Sequence, residues 1–65
     1  MNTITATVRE GMSTTISGKT AEGKLLTYQY SHTYDLLHDP HRTYEWVPGV
    51  YSLSDAIKFV ENAAN

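Results

Sequence analysis

The chain predicts an α+β fold, a small antiparallel sheet of three to four strands with one C-terminal helix packed on one face. Two patterns among its 65 residues indicate this class. The first part of the chain alternates with the period of two that is typical of half-buried strands, with polar turns between the runs. The C-terminal segment instead repeats its apolar residues at the spacing of one helix face. Because no internal repeat or linker interrupts these patterns, we expect residues 1–65 to form a single domain.

Two threonine-rich segments predict the first two strands of the sheet. In segment 3–9 threonines alternate with apolar residues, and threonine is a good strand former. The residues predicted to share one side of this strand are Ile4, Ala6 and Val8. A turn is predicted at Glu10-Gly11. The residues predicted to share one side of the next strand are Met12, Thr14 and Ile16. The polar segment 18–23 is bounded by glycines, which predicts the loop that follows.

An aromatic stripe predicts the third strand. The residues that share its parity are Leu26, Tyr28, Tyr30, His32 and Tyr34. Residues 35–41 are predicted to form a loop, because Asp39-Pro40 favours a turn. Segment 42–47 predicts a fourth short strand with Tyr44 and Trp46 on one face. Tyrosines on a covered sheet face are core residues, but one helix cannot cover a whole sheet of this size, so we expect some rings to remain exposed.

The C-terminal segment predicts one amphipathic helix. Its apolar face consists of Leu53, Ala56, Ile57, Val60 and Ala64. Ser52 precedes this face and is a favourable N-cap, and Asp55 three residues later is a weaker form of the capping box. We expect the apolar face to be part of the core, so that Ile57 and Val60 are buried.

Composition and charge exclude several classes of protein. The chain has no cysteine, so it has no disulfide and no thiolate metal site, and its seven acidic residues outnumber its five lysines and arginines. The basic footprint of a nucleic-acid-binding domain is therefore missing. The N-terminus lacks the features of a signal peptide, and no segment reaches the ~20 apolar residues of a membrane span. We expect a complete small cytoplasmic protein.

Two short patterns resemble ligand-binding motifs. The run Ser17-Gly18-Lys19-Thr20 resembles the end of a phosphate-binding loop, but Ser13 stands where that motif needs its first glycine. The second pattern consists of metal-binding side chains, namely Asp35, His38, Asp39 and His41. Because no nucleophile elbow such as Gly-x-Ser-x-Gly occurs, we expect no enzymatic activity, and we expect no cofactor and no metal. A metal- or ligand-binding regulatory protein is an alternative that depends on the second pattern alone.

Charge and aromatic residues favour a protein-binding surface. Residues 1–34 carry three basic and two acidic side chains, whereas residues 35–65 carry five acidic and two basic ones. An acidic surface suits a basic partner, including one that normally holds nucleic acid, and tyrosine is common in binding hot spots. The residues predicted to bind a partner are Tyr34, Asp35, Asp39 and Glu45. Such acids imitate phosphate spacing loosely, so we expect them to pair with lysine or arginine of a protein.

A small, acidic, cysteine-free, β-rich chain with a closing helix resembles the anti-CRISPR proteins encoded by phages and mobile elements. The resemblance covers the whole chain in size and character and is nearest to the inhibitors of type I-C systems. It implies a non-enzymatic inhibitor that acts in the host cytoplasm. Because an uncovered sheet edge allows self-pairing, we expect a monomer or a weak homodimer. It further implies binding to a basic surface of a CRISPR surveillance-complex subunit, which blocks recognition of target DNA.

The end of the chain carries a second resemblance. Residues 44–63, with the run Tyr44-x-Trp46 followed by Tyr51-Ser-Leu-Ser-Asp-Ala-Ile-Lys-Phe-Val, are similar to the end of small sheet-plus-helix DNA-binding modules such as integrase arm domains. Those modules read DNA through basic residues on the open sheet face. The bases available to the candidate strands here are Arg9, Lys24 and Arg42. A DNA-binding module of this type is the alternative function.

Overall fold

The structure, a computed structural model, describes residues 3–41 and 45–65. In these ranges four strands precede one helix, with β1 at Ile4–Glu10, β2 at Ser13–Lys19, β3 at Leu25–Ser31, β4 at Leu36–His38 and α1 at Leu53–Ala64. Consecutive strands pair antiparallel in the order β1-β2-β3-β4, and α1 packs on one face of the sheet. The α+β class predicted from the sequence is confirmed.

α1 begins where the sequence predicts. Ser52 has an extended backbone, and its Oγ accepts a hydrogen bond from the Asp55 amide at 3.1 Å, which satisfies one free amide of the first turn. The members of the predicted apolar face that are buried are Ala56, Val60 and Ala64, and those that are partly buried are Leu53 and Ile57. The predicted face is therefore confirmed, with Val60 buried as expected and Ile57 less buried than expected. Neither α1 nor any other described segment forms a helix long and apolar enough to cross a membrane.

The core lies between α1 and the strands β2, β3 and β4. Ile16 of β2, Tyr30 of β3 and Leu37 of β4 are almost completely buried, and they pack in one cluster with Ala56 and Val60 of the helix. Burial of this apolar surface is the main stabilising contribution to the fold. Because Tyr30 belongs to the aromatic stripe, the stripe of β3 faces the helix and not the open side of the sheet.

Gly18 allows α1 to approach β2 closely. A Cβ at this position would lie 3.1 Å from Val60 Cγ1 and 3.3 Å from the Thr3 carbonyl oxygen. The Lys19 amide donates a hydrogen bond to that oxygen at 3.0 Å, which fixes its position. Gly18 and Lys19 therefore belong to β2 and not to the predicted loop 18–23, because the glycine serves close packing here rather than a turn.

β1 departs from its predicted pattern because its register shifts. Ile4 pairs with Gly18, whereas Ala6 pairs with Ser17, so β1 has one extra residue at this point. An extra residue reverses the alternation of side chains. Ile4 packs against the core, and Ala6 and Val8 lie on the open face. The prediction that these three residues share one side is wrong, and Val8 is 51% exposed.

The predicted loop 35–41 contains the strand β4, and the predicted third strand is shorter than expected. β3 ends at Ser31, before His32 and Tyr34, and after a turn Leu37 of β4 pairs with Tyr30. A strand of three residues is too short to show a period of two. The burial of Leu37 in the core cluster, rather than any local pattern, accounts for this strand.

The predicted strand 42–47 is described only in its last residues. Residues 42–44 lie outside the described ranges, so the expected shared face of Tyr44 and Trp46 stays a prediction. Trp46 forms one antiparallel bridge with His38. The amide of the next residue, Val47, donates a hydrogen bond to the Leu37 carbonyl oxygen at 2.8 Å. The segment thus continues the sheet beyond β4 by a single bridge.

Candidate functional site

The bridge between His38 and Trp46 decides which side chains meet at the outer edge of β4. Opposite residues of an antiparallel pair point to the same face of a sheet. Trp46 therefore lies with His38 on the open face, and Val47 lies with Leu37 on the face that α1 covers. As a result, this edge presents different chemistry on its two faces.

An exposed aromatic cluster occupies the open face at this edge. The ring centroid of Trp46 is 5.1 Å from that of His38 and 6.3 Å from that of Tyr34, both in edge-to-face orientation. Tyr34 is 68% exposed and Trp46 is 43% exposed, so both rings retain surface for a partner. His38 is half-buried, and its Nδ1 has no hydrogen-bond partner among the described residues. Exposed tyrosine and tryptophan side by side are typical of binding hot spots.

A groove of about 490 Å³ lies at the same edge, where Trp46 meets the Tyr28 and Phe59 rings of the helix side. The residues that line it are Tyr28, Asp39, Glu45, Trp46, Val47, Pro48 and Phe59. The rings of Tyr28 and Phe59 pack edge to face with centroids 5.3 Å apart and give the groove an apolar wall. Among the described residues, the charged side chains that line it are the acids Asp39 and Glu45. The groove therefore combines aromatic surface with negative charge.

Asp39 and Glu45 belong to the two chain segments that the bridge joins, and both lie at the same end of it. Asp39 directly follows His38, and Glu45 directly precedes Trp46. Asp39 Oδ1 accepts a hydrogen bond from the His41 amide at 2.8 Å, which closes the turn that the sequence predicts here. The local turn and the long-range bridge together hold the two acids at one groove.

Asp35 has a different position from these acids. Its φ of 53° lies in the left-handed region, which aspartate tolerates better than most residues. Its Oδ1 accepts a hydrogen bond from the Tyr30 hydroxyl at 2.9 Å, and the same hydroxyl lies 3.4 Å from the Tyr51 carbonyl oxygen. Burial raises the pKa of the Tyr30 hydroxyl, and the nearby carboxylate of Asp35 raises it further. Asp35 therefore anchors a core tyrosine, although its own side chain is exposed.

Three of the four predicted partner-binding residues meet at the edge of β4. Asp39 and Glu45 line the groove, and Tyr34 contacts Trp46 on the open face. Asp35 lies in the turn before β4, where its carboxylate is directed to the core. The structure thus separates an acid that anchors a core tyrosine from two acids that line the groove.

Three ring residues of this edge are absent from the sequence-based set. Trp46 is the one tryptophan of the chain and stands next to Glu45, a signal that would have selected it. Tyr28 and Phe59 carry no comparable signal. Tyr28 belongs to the stripe predicted as core, and Phe59 lies beside the predicted apolar face of α1. They form a groove wall only because β3 and α1 meet at this point.

The metal-ligand pattern of segment 35–41 does not converge in the part of the chain that the structure describes. No three histidine, aspartate or glutamate side chains in residues 3–41 and 45–65 are grouped as a metal ion requires. Asp35 is bonded to Tyr30, and the His38 ring packs against Trp46. The four side chains of the pattern therefore lie apart. Asp35 is bonded to a core tyrosine, His38 lies at the sheet edge, and Asp39 and His41 lie in a turn.

Hydroxyl and amide groups cover the open face of the sheet between its edges. The polar side chains that pair there across β2 and β3 are Ser13, Thr15, Ser17, Thr27, Gln29 and Ser31. Within the described strands, Lys19 is the one basic residue on this face, because Arg9 pairs with Thr14 and so points to the helix side. Such a face offers little positive charge to a phosphate backbone.

The sheet, its single described helix and the acidic, aromatic edge define a small α+β protein with a candidate binding surface. No protein-family model matches the chain, and no curated protein and no solved structure matches it either. The function is therefore argued from the chemistry of the site.

Proposed function

We propose that the chain is a non-enzymatic inhibitor that binds a basic surface of a partner protein through the outer edge of β4. The β4-edge surface consists of Tyr34, Asp39, Glu45 and Trp46. The proposal is best supported by the two acids that line a groove beside an exposed aromatic pair. In protein interfaces, aromatic rings supply the buried anchors, and charges set specificity and the association rate.

The partner that fits this chemistry is a protein surface rich in lysine and arginine. Such surfaces normally bind the phosphates of nucleic acid, so an acidic protein that occupies one competes with DNA. In line with the anti-CRISPR resemblance, we propose a subunit of a CRISPR surveillance complex as the partner. Occupation of its DNA-binding surface would block target recognition, with the chain as a loose DNA mimic.

The two alternatives have weaker support. A DNA-binding module of the integrase-arm type needs basic residues on the open sheet face, where the described strands present hydroxyl groups and Lys19. A metal-binding regulator needs a ligand set that the described residues do not assemble. Both observations favour a protein partner.

Charge reversal at two places tests this proposal. The test variant combines Asp39→Lys with Glu45→Lys, and the matched control combines Glu10→Lys with Glu22→Lys, two exposed acids outside the β4-edge surface. Both variants change the net charge by the same amount. Binding to a purified type I-C surveillance complex is measured by biolayer interferometry at low and high salt. We expect the test variant to bind about 10–100-fold more weakly at low salt, and the control to bind like the parent.

Asp35 stays unchanged in both variants because it holds Tyr30. The test variant loses the hydrogen bond from the His41 amide to Asp39 and should unfold with a free energy lower by about 0.5–1.5 kcal/mol, so binding is measured well below its melting temperature. A loss of affinity that shrinks at high salt would support electrostatic pairing at this surface. An equal loss in both variants would show an effect of net charge alone and contradict the proposed surface. Failure of the parent to bind would contradict the proposed partner.

A further inference from the structure

We infer that the groove beside β4 binds one arginine side chain of the partner protein. The inference rests on the proposed function and names the chemical group that the surface recognises. The groove residues that carry it are Tyr28, Asp39, Glu45, Trp46 and Phe59.

The apolar wall of the groove suits the body of an arginine. This side chain has an aliphatic stem and a flat guanidinium that is more weakly hydrated than an ammonium group. The stem packs on apolar surface such as that of Val47 and Pro48, and the guanidinium packs on an aromatic ring and interacts with its negative face. The groove volume of about 490 Å³ lies within the roughly 300–1,000 Å³ range of small-ligand sites.

The two acids of the groove suit the charge of an arginine. Asp39 and Glu45 both line the groove, and a cation that lies between two carboxylates interacts favourably with each of them. Asp39 already accepts one backbone hydrogen bond from His41, but an ionised carboxylate has about four acceptor positions. A guanidinium carries five N–H donors in a fixed plane, so one arginine can donate to Asp39 and Glu45 together.

Other ligand classes fit the groove less well. The acids repel phosphate and other anions, which excludes a nucleotide or a nucleic-acid backbone. A divalent cation would need further ligands, and in the part of the chain that the structure describes no third carboxylate or histidine lines this groove. A lysine has the right charge, but its compact and strongly hydrated ammonium loses more hydration beside an apolar wall. Arginine is therefore the favoured occupant.

The single tryptophan of the chain provides a specific readout. The ¹⁵N-labelled protein is titrated with Nα-acetyl-arginine amide, and the Trp46 indole N–H signal is followed by NMR. The neutral isostere Nα-acetyl-citrulline amide and the cationic Nα-acetyl-lysine amide serve as comparison probes. We expect a saturable shift with the arginine probe at a Kd on the order of millimolar, as befits a single side chain. The lysine probe should bind several-fold more weakly, and the citrulline probe should give no saturable shift.

A charge-neutralising variant tests the role of the two acids. Asp39→Asn with Glu45→Gln keeps the shape of the groove, and Glu10→Gln with Glu22→Gln is the matched control. We expect the first variant to bind the arginine probe at least about tenfold more weakly and the control to bind it like the parent. Citrulline that binds as well as arginine, or an equal loss in both variants, would overturn the inference. A parent protein without a saturable shift would also overturn it.

The inference and the proposed function can fail separately. Charge reversal at Asp39 and Glu45 could weaken binding to the surveillance complex while the arginine probe does not bind. That result would support the acidic surface and contradict the arginine site. If the arginine probe binds but charge reversal leaves the complex unaffected, the groove recognises arginine but the proposed partner is wrong.

Discussion

The two edges of the sheet differ in length, in cover and in chemistry. β1 has seven residues, and every side chain from Thr5 onward is exposed. β4 has three residues, one of which, Leu37, is completely buried. Beyond β4 the chain returns to add Trp46 and Val47, whereas nothing in the described residues pairs with the outer side of β1.

The hydrophobic core accounts for this difference, because it includes the buried Leu37 of β4. The helix shares its core with β2, β3 and β4, and β1 contributes only the partly buried Ile4 to it. An uncovered edge such as β1 offers backbone groups and hydroxyl side chains. The edge at β4 instead has its backbone supported by the buried Leu37 and by the bridge between His38 and Trp46. Rigid support of this kind is what a selective binding surface needs.

The largest expected loss of stability follows a substitution on the face of the sheet that packs against α1. Val60→Ala removes a completely buried side chain next to Gly18 and should lower the free energy of unfolding by about 1–4 kcal/mol. The matched change on the uncovered edge, Val8→Ala, should cost less than about 0.5 kcal/mol. Urea unfolding followed by circular dichroism measures both. Equal losses in the free energy of unfolding would show that Val8 is covered in solution and would contradict the difference between the two edges.

A smaller effect is expected at the hydroxyl that links the core to the turn before β4. Tyr30→Phe removes the hydrogen bond to Asp35 and should lower the free energy of unfolding by about 1–2 kcal/mol, whereas Tyr34→Phe, in an exposed ring, should be neutral. Urea unfolding at neutral pH measures this difference. Similar stability of the two variants would contradict the anchoring role of Asp35.

The same hydroxyl makes stability depend on pH. The pKa of Tyr30 is raised in the folded protein, so its contribution is complete below the unfolded tyrosine value of about 10. The contribution is lost as pH rises from that value through the folded pKa, because over this range the unfolded tyrosine ionises while the folded one still holds its proton. The free energy of unfolding, measured between neutral pH and pH 11, should fall more steeply for the parent than for Tyr30→Phe. Parallel curves would contradict a raised pKa.

How far the sequence predicts the fold depends on the length of each element. The face of α1 was predictable because five apolar residues repeat over twelve positions and Ser52 marks the start. The sequence does not predict which residues of β1 face the core. Threonine is acceptable on either face, and the pattern does not indicate the extra residue between Ile4 and Ala6. β4 was missed because three residues show no period.

The candidate site was predictable only in its acids. The excess of negative charge after residue 34 predicts Asp39 and Glu45 as binding residues, and both line the groove. The same criterion selected Asp35, whose hydrogen bond to Tyr30 depends on how the turn folds back on the core. Tyr28 and Phe59 meet across 31 positions of the chain, a contact that no local pattern encodes.

The central claim, that the protein binds through the edge of β4 and not through that of β1, is tested most directly by oxidative footprinting. Both regions carry exposed residues that hydroxyl radicals modify, Tyr34 and Trp46 at one edge and Met12 at the β1–β2 turn. Modification is measured by mass spectrometry for the free chain and for the chain mixed with the type I-C surveillance complex. We predict that oxidation of Tyr34 and Trp46 falls several-fold in the complex while that of Met12 is unchanged. Protection of Met12 with unaltered oxidation of Tyr34 and Trp46 would contradict the claim.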